Sequence, residues 1–374
     1  LPYGADIAQG SSTLDYTQEN ALHITQHTQK TIINWDSFNI GEDQLTAFHQ
    51  PNERAVAINR IIGDNIDPTQ ILGRLEANGQ IIVLDNNGVF FGPSAQIDVG
   101  GLLASTGDIN DQSFMQNSTI NITNANTDGE IVNHGNINIK DAGIASFVSP
   151  TVVNNGYITA KLGNVVLASG AEATVDLYGD GLLEITLDKG QSQDIINTGL
   201  ISASGGYVHM EAAAAADIVD NLIVNTGVIT ANSVSVDKQG VIKLYAQGSQ
   251  TAAPSAKGIS TTLNAGIIQA TGYKDGAHGG NIDILGDHVA LTGSSLIDAS
   301  GHSGGGDIKI GGAYMGKGTT PTARYSYIDE SAVILNDAIH TGNGGSTIIW
   351  SDDQTDFFGR VFSRGGANSG DGGF

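Results

Sequence analysis

Apolar and polar positions in this chain recur as a short phrase rather than as helical stripes. From Asn133 the phrase reads Asn-His-Gly-Asn-Ile-Asn-Ile, and from Asn154 Asn-Asn-Gly-Tyr-Ile-Thr-Ala. It returns from Asn197 as Asn-Thr-Gly-Leu-Ile-Ser-Ala, from Asn225 as Asn-Thr-Gly-Val-Ile-Thr-Ala, and from Asn264 as Asn-Ala-Gly-Ile-Ile-Gln-Ala. A weaker copy, Ser-Leu-Ile-Asp-Ala, runs from Ser295 to Ala299. In a strand, residues two apart share a face. Ile137, Ile158, Ile201, Ile229, Ile268 and Ile297 therefore predict one stacked inward row. Asn138, Thr159, Ser202, Thr230, Gln269 and Asp298 are expected to face solvent. The preceding Asn and Gly are read as a tight turn needing positive φ.

The glycines of the five full copies lie 21 (156 − 135), 43 (199 − 156), 28 (227 − 199) and 39 (266 − 227) residues apart. A unit of about 20 residues reads these steps as one coil, two coils, one coil with an insertion, and two coils. That is a solenoid period; a propeller blade needs about 40 to 50 residues. The Leu and Asn ladder of leucine-rich repeats is missing. The expected fold is all-β: a right-handed parallel β-helix of about 15 coils with an N-terminal cap. Helix signals are few. Ala212 to Ala216 is a short Ala run without amphipathic continuation, and Pro68 to Glu76 predicts one or two helical turns.

Composition agrees with many short strands. Glycine contributes 51 of 374 residues, nearly twice average usage, while hydrophobic content stays at 40%, too high for disorder. Cysteine is absent, which excludes disulfides and Cys-based zinc sites. Stability must then come from the repetitive core. The formal charge of −23, with 39 Asp and Glu against 16 Lys and Arg, argues against nucleic acid and anionic membranes as partners. No stretch approaches 18 consecutive apolar residues, the length a membrane-spanning helix needs.

Candidate chemistry is thin. Asp352, Asp353 and Asp356, near Trp350 and Phe357, could form a carboxylate cluster on a sugar-binding face, but are read as a solvated turn. His23 and His27 stand four apart, as on a metal-binding helix. The alternating Leu22-His-Ile-Thr-Gln-His-Thr instead reads as a strand, which separates them by about 13 Å. Gly304-Gly-Gly-Asp307 is a single partial copy of a calcium-binding nonapeptide and is read as turn glycine. Gly279-Gly280 lacks the Lys of a phosphate loop. Trp35 and Phe38 are read as core or cap rather than a docking pair. Asn117 and Asn121 open glycosylation sequons and are read as ordinary polar positions. No metal or cofactor is expected.

Residues 1–110 are denser and less repetitive. They contain Thr31-Ile-Ile-Asn-Trp35-Asp-Ser-Phe38-Asn-Ile-Gly41, then Ala57-Ile-Asn59-Arg60, then Gln70 to Gly92 with Asn78-Gly79 and Asp85-Asn86-Asn87-Gly88. This stretch resembles the two-partner secretion domain of filamentous haemagglutinins, high-molecular-weight adhesins and contact-dependent toxin exoproteins (the TpsA class). Where the family carries Asn-Pro-Asn-Gly this chain has Asp85 to Gly88. A second, Asn-Pro-rich family motif falls at Asp64-Asn65-Ile66-Asp67-Pro68. The glycine-rich runs Ser300 to Gly312 and Ser363 to Phe374 look like later coils of such exoproteins, and residues 111–374 are expected to continue the β-helix as part of a longer chain.

The resemblance implies a mechanism. The domain is recognised in the periplasm, unfolded or partly folded, by the POTRA domains of a cognate outer-membrane transporter (TpsB) of the Omp85 superfamily. The chain then threads out, and each coil templates on the one before. Asn59, Arg60, Asn65, Asn78, Gly79, Asp85, Asn86, Asn87 and Gly88 are the candidate recognition residues. The resemblance further implies a secreted or cell-surface adhesin or haemagglutinin, serving cell adhesion or biofilm, with host-cell or matrix carbohydrate or protein met through downstream regions. Two rivals stand beside it. A β-helix polysaccharide-degrading enzyme would need convergent Asp, Arg or Lys residues, yet no basic residues cluster. The delivery stalk of a contact-dependent toxin would carry its effector elsewhere.

Overall fold

The computed structural model describes the chain except residues 65, 118, 124–127, 171, 177–182, 187–193, 214–219, 236 and 248–258. Two compact units form, one from residues 1–160 and 166–188, the other from 161–165 and 189–374. Each is a parallel β-helix whose coils visit three sheet faces in turn. The boundary expected near residue 110 falls inside the first unit, where the chain leaves the coil for an excursion.

In the first unit the first face stacks Lys30–Trp35, Val56–Ile61, Gln80–Leu84, Gly101–Ser105, Ile144–Ser149 and Asn164–Ser169. Gly88–Phe91, Glu130–Asn133 and Thr151–Asn154 build the second face above Thr69–Ile71. Ala21–Gln26, Leu45–His49, Arg74–Ala77, Gln96–Val99, Asn136–Ile139 and Tyr157–Ala160 build the third. The N-terminus caps the stack. Asp6–Gln9 runs antiparallel to Lys30–Trp35, and Ser12–Gln18 antiparallel to Ala21–Gln26. Both first strands thereby lose the open edges that invite aggregation.

The predicted Ile row is present. Ile137 pairs with Ile158 in the first unit, and Ile201, Ile229, Ile268 and Ile297 pair in succession in the second. All six are fully buried. Of their polar neighbours, Asn138 is exposed, and Thr159, Ser202, Thr230 and Gln269 are partly exposed. Asp298 departs from the expectation: it is buried, accepting hydrogen bonds from the Tyr273 hydroxyl (3.1 Å) and the Ser300 N–H (2.9 Å). A loop residue folds over its rung, which strand parity cannot show.

The repeat's Asn and Gly act differently from the turn expected. Gly135, Gly156, Gly227 and Gly266 do not have positive φ. They are glycine because the neighbouring rung leaves no room: a Cβ on Gly227 would sit 2.2 Å from the Gly199 carbonyl oxygen, and one on Gly266 2.2 Å from that of Gly227. Those carbonyls are occupied as rung acceptors, Gly199 for Val228 N–H and Gly227 for Ile267 N–H, both at 2.9 Å. The asparagines are fully buried and form ladders. Asn133 donates to Asn154 at 2.8 Å in the first unit. In the second, Asn197 donates to Asn225 (2.8 Å), Asn225 to Asn264 (2.6 Å), and Asn264 to the Ser295 hydroxyl (2.6 Å). Ser295, first residue of the weaker copy, takes the Asn place.

The coils are also fewer than the glycine spacing suggests. The 39-residue step between Gly227 and Gly266 is one coil, since Val228–Thr230 pairs directly with Ile267–Gln269. The 43-residue step also makes one passage of each face, its extra length spent on an antiparallel hairpin of Glu172–Asp176 and Leu183–Thr186. The third face has six coil strands in each unit among the described residues, fewer than the expected total of about 15. Insertions at corners leave rung spacing untouched, so sequence distance overcounts coils. The expected helical turns at Pro68 to Glu76 are strands Thr69–Ile71 and Arg74–Ala77. Ala212 and Ala213 end the strand Tyr207–Ala213, and 214–216 lie outside the described residues. Asp352, Asp353 and Asp356 lie on the strand Ser351–Phe357, not in a turn. Their carboxylates accept from Trp350 and Thr322, pair with Arg324, and accept from Gln354.

One α-helix forms among the described residues, Asp111–Gln116, capped by the Asn110 side chain accepting from Ser113 N–H at 2.9 Å. It belongs to an excursion with Asp108–Ile109, Thr119–Thr123 and the hairpin just named, a four-stranded antiparallel sheet. Ile109, Phe114, Ile120, Ile122 and Val175 pack with Ile32, Ile58, Ile82, Leu84 and Leu103 of the first face. First-face strands are thus buried on both sides. Their sequences read as near-continuous apolar runs for that reason, as in Gln80-Ile-Ile-Val-Leu84.

Candidate recognition segment

Residues 59–92 supply parts of consecutive coils in the first unit, and most of the candidate side chains are engaged within the fold. Asn59 sits on the first face, fully buried. Its carboxamide accepts from Trp35 Nε1 at 3.0 Å and donates to the Ile82 carbonyl at 3.3 Å. This clamp holds Trp35 against Phe38, ring centroids 5.5 Å apart, both fully buried as core residues.

Arg60, next on that strand, holds the excursion. Its guanidinium donates to Asp108 (2.8 Å), to Asp111 (2.7 Å) and to the Ile109 carbonyl (2.7 Å). Burial opposes its charge, but hydrogen bonds and attraction from Asp111 and Asp108 outweigh this and raise its pKa above the ordinary value. Lys30 grips the other end of the helix. Its ammonium donates to the Phe114 and Asn117 carbonyls, both at 2.6 Å, and lies 5.0 Å from the Phe114 ring centroid. Burial lowers the pKa of Lys30.

Asn78 and Gly79 form a corner around Gln50. The Asn78 side chain accepts from Gln50 N–H at 2.8 Å and donates to Gln50 C=O at 2.9 Å, copying a strand pair. Gly79 N–H donates to Gln50 Oε1 at 2.9 Å, and a Cβ there would lie 2.6 Å from the Ala55 carbonyl oxygen. Gln50 Nε2 donates to Gln26 Oε1 at 2.9 Å, and Gln26 Nε2 to Thr28 C=O at 2.7 Å. This buried relay is absent from the sequence expectations. A parity signal existed: Gln26 follows Leu22 and Ile24 on the inward side of its strand.

Asp85 to Gly88 make a tight corner. Asp85 is buried, one oxygen accepting from the Thr69 N–H (2.9 Å) and hydroxyl (2.6 Å), the other from Asn87 N–H (2.9 Å). Burial raises its pKa despite these hydrogen bonds. Gly88 has φ +116° and needs glycine; a Cβ there would also lie 2.5 Å from the Glu130 carbonyl oxygen. Asn86 is exposed, its amide donating to the Thr106 carbonyl at 3.1 Å. Asn87 is partly exposed and lines a recess of about 350 Å³ with Phe90 and Glu130. Asn65 lies outside the described residues.

His23 and His27 lie on and just beyond the strand Ala21–Gln26 and have separate partners. His23 Nδ1 is 3.0 Å from His49 Nε2 with the rings stacked, and His27 Nε2 is 2.8 Å from the Thr13 hydroxyl. Among the described residues no three His, Asp or Glu converge as metal ligands, and no helix is long and apolar enough to cross a membrane.

The family model for the TPS secretion domain matches residues 5–252. The chain belongs to that family. A crystal structure of the HMW1 secretion domain from Haemophilus influenzae matches this TPS domain with a TM-score of 0.85 at 29% identity, over 100% of this chain and 93% of that one. A heme/hemopexin-binding protein of Haemophilus influenzae is 31% identical over 328 residues, 82% of this chain and 34% of its own length. The protein of the same name from strain ATCC 51907 / DSM 11121 / KW20 / Rd is 35% identical over 210 residues, 54% of this chain and 23% of its length. The TPS chain thus spans about a third or less of these relatives. It is the secretion domain of a two-partner-secreted exoprotein, it works with a cognate outer-membrane transporter, and its route out of the cell is through the outer membrane. The family is one of secretion domains, not enzymes, and neither the degradative enzyme nor the toxin stalk gains support from these matches.

Proposed function

We propose that the transporter's POTRA domains read segment 59–92 before its coils close, and that folding outside the cell then withdraws it. One observation carries this reading: in the folded unit Asn59, Gly79, Asp85 and Gly88 are buried. A partner that recognises them must meet them unfolded or partly folded. Folding then makes the handover irreversible, because each closed rung buries apolar rows and turns recognition groups into internal hydrogen-bond partners. Asn86, which is exposed, and Asn87, which is partly exposed, are the cleanest probes. With the transporter co-expressed, Asn86→Ala with Asn87→Ala is expected to leave the melting temperature of the purified domain within a few degrees of wild type and to trap precursor in the periplasm. Wild-type export of that variant would overturn the role given to the corner.

The parent exoprotein, in this reading, is displayed at the cell surface or released as an adhesin. The names of the two Haemophilus relatives favour a second reading, in which the longer protein binds heme or hemopexin. Pull-down of the full-length protein on hemopexin and on host-cell matrix separates the two.

A further inference from the structure

The second face of the second unit carries an aromatic platform on its outer side. Ser326 and Ile328 point into the core, and Tyr325 and Tyr327 therefore point out, 39% and 42% exposed. The rung on one side places His288 beside Tyr325 and Ala290 beside Tyr327. The rung on the other side places Gln354 and Asp356 in the same positions. The His288 ring meets Tyr325 edge-on at 4.9 Å, and Phe358, 61% exposed, lies 6.1 Å from Tyr327. Gln354 Nε2 donates to both Asp356 carboxylate oxygens (3.0 and 2.8 Å), which holds an amide and a carboxylate together beside the rings. Single exposed aromatics are ordinary, but a contiguous row on a rigid sheet is a binding feature.

We propose that the Tyr325–Tyr327–Phe358 row, with Gln354 and Asp356, binds neutral oligosaccharides. The apolar C–H face of a pyranose stacks on an aromatic ring, and its hydroxyls donate to a carboxylate and exchange hydrogen bonds with a carboxamide. The Arg324 guanidinium lies over the Tyr325 ring, 5.4 Å from its centroid, and His288 packs against that ring too, so Tyr327 and Phe358, 6.1 Å apart, offer the stacking positions to a glycan and Tyr325 borders them. Charge selects within the class. Asp287, Asp352, Asp353 and Asp356 surround the platform, and the nearby Arg324 is paired with Asp353 at 3.0 Å, so polyanionic glycans are repelled. The chain's own Arg324 already takes the cation's place over Tyr325, which disfavours a second cationic ligand there. The inference extends the adhesive reading of the parent protein to a named surface of this chain, and export does not enter it.

The test is calorimetric titration of the purified chain with neutral β-linked hexose and N-acetylhexosamine oligosaccharides, with heparin and a Lys-rich peptide as competing probes. Binding to at least one neutral oligosaccharide is expected, weakened tenfold or more by Tyr327→Ala and by Asp356→Asn and kept by Tyr327→Phe, with melting temperatures unchanged. If Tyr327→Ala loses its fold, Phe358→Ala takes its place and is expected to weaken binding in the same way. No neutral-sugar binding at millimolar concentration, unchanged affinity in the folded variants, or preference for heparin or the peptide would overturn the proposal. Because the readout is the isolated chain, such a result removes this site and leaves adhesion by the longer exoprotein to its own cell assay.

Discussion

Asn225 donates its side-chain amide to the side-chain oxygen of Asn264 at 2.6 Å, with both residues fully buried. They stand 39 positions apart in sequence and one rung apart in space. Asn225 also accepts from Asn197 at 2.8 Å. Asn225→Ala is therefore expected to strand a donor above and an acceptor below, at a cost of about 1–3 kcal/mol. Urea unfolding of the purified chain measures it, and a loss under about 0.5 kcal/mol would show that the ladder adds little net stability.

The Ile row supports a sharper contrast. Ile229 lies between Ile201 and Ile268. Ile201→Asp or Ile229→Asp buries an unpaired charge and is expected to cost roughly 4 kcal/mol or more, whereas Ile229→Val should cost about 1 kcal/mol. Aspartate variants that melt like wild type would mean the row is not internal.

Gly88 and Asn87 are adjacent yet should behave differently. Gly88→Ala meets a positive φ and a carbonyl 2.5 Å from the new Cβ, and is expected to lose roughly 2–3 kcal/mol. Asn87→Ala keeps the backbone bond to Asp85 and should cost much less. Export defects in Gly88 variants therefore report folding as well as recognition. Equal melting temperatures for the two variants would contradict this corner geometry.

Asp85 predicts a pH dependence. Burial raises its pKa above the ordinary 3.8, so the folded state holds the proton more tightly than the unfolded chain. Stability from this group is fully present below 3.8 and is lost as pH rises through the folded value. Unfolding free energies of wild type and Asp85→Asn should consequently shift in the variant's favour as pH rises above about 4. A difference independent of pH would show that the carboxylate ionises normally.

Sequence alone determined the local part of this protein. Alternation at two-residue spacing told inward Ile from outward polar positions, and the Asn-x-Gly phrase marked where rungs align, because both are written in neighbouring residues. The family was also legible, from the motifs between Thr31 and Gly92. Only the tertiary structure decided what depends on stacking. It showed that Gly227 is glycine because the Gly199 carbonyl fills its side-chain space. It showed that a 39-residue step is one coil, and that Arg60 and Lys30 hold an excursion more than 45 residues away. Sequence distance cannot separate a coil from an insertion, since a rung is defined by hydrogen bonds to the rung beside it and not by the length of chain between them.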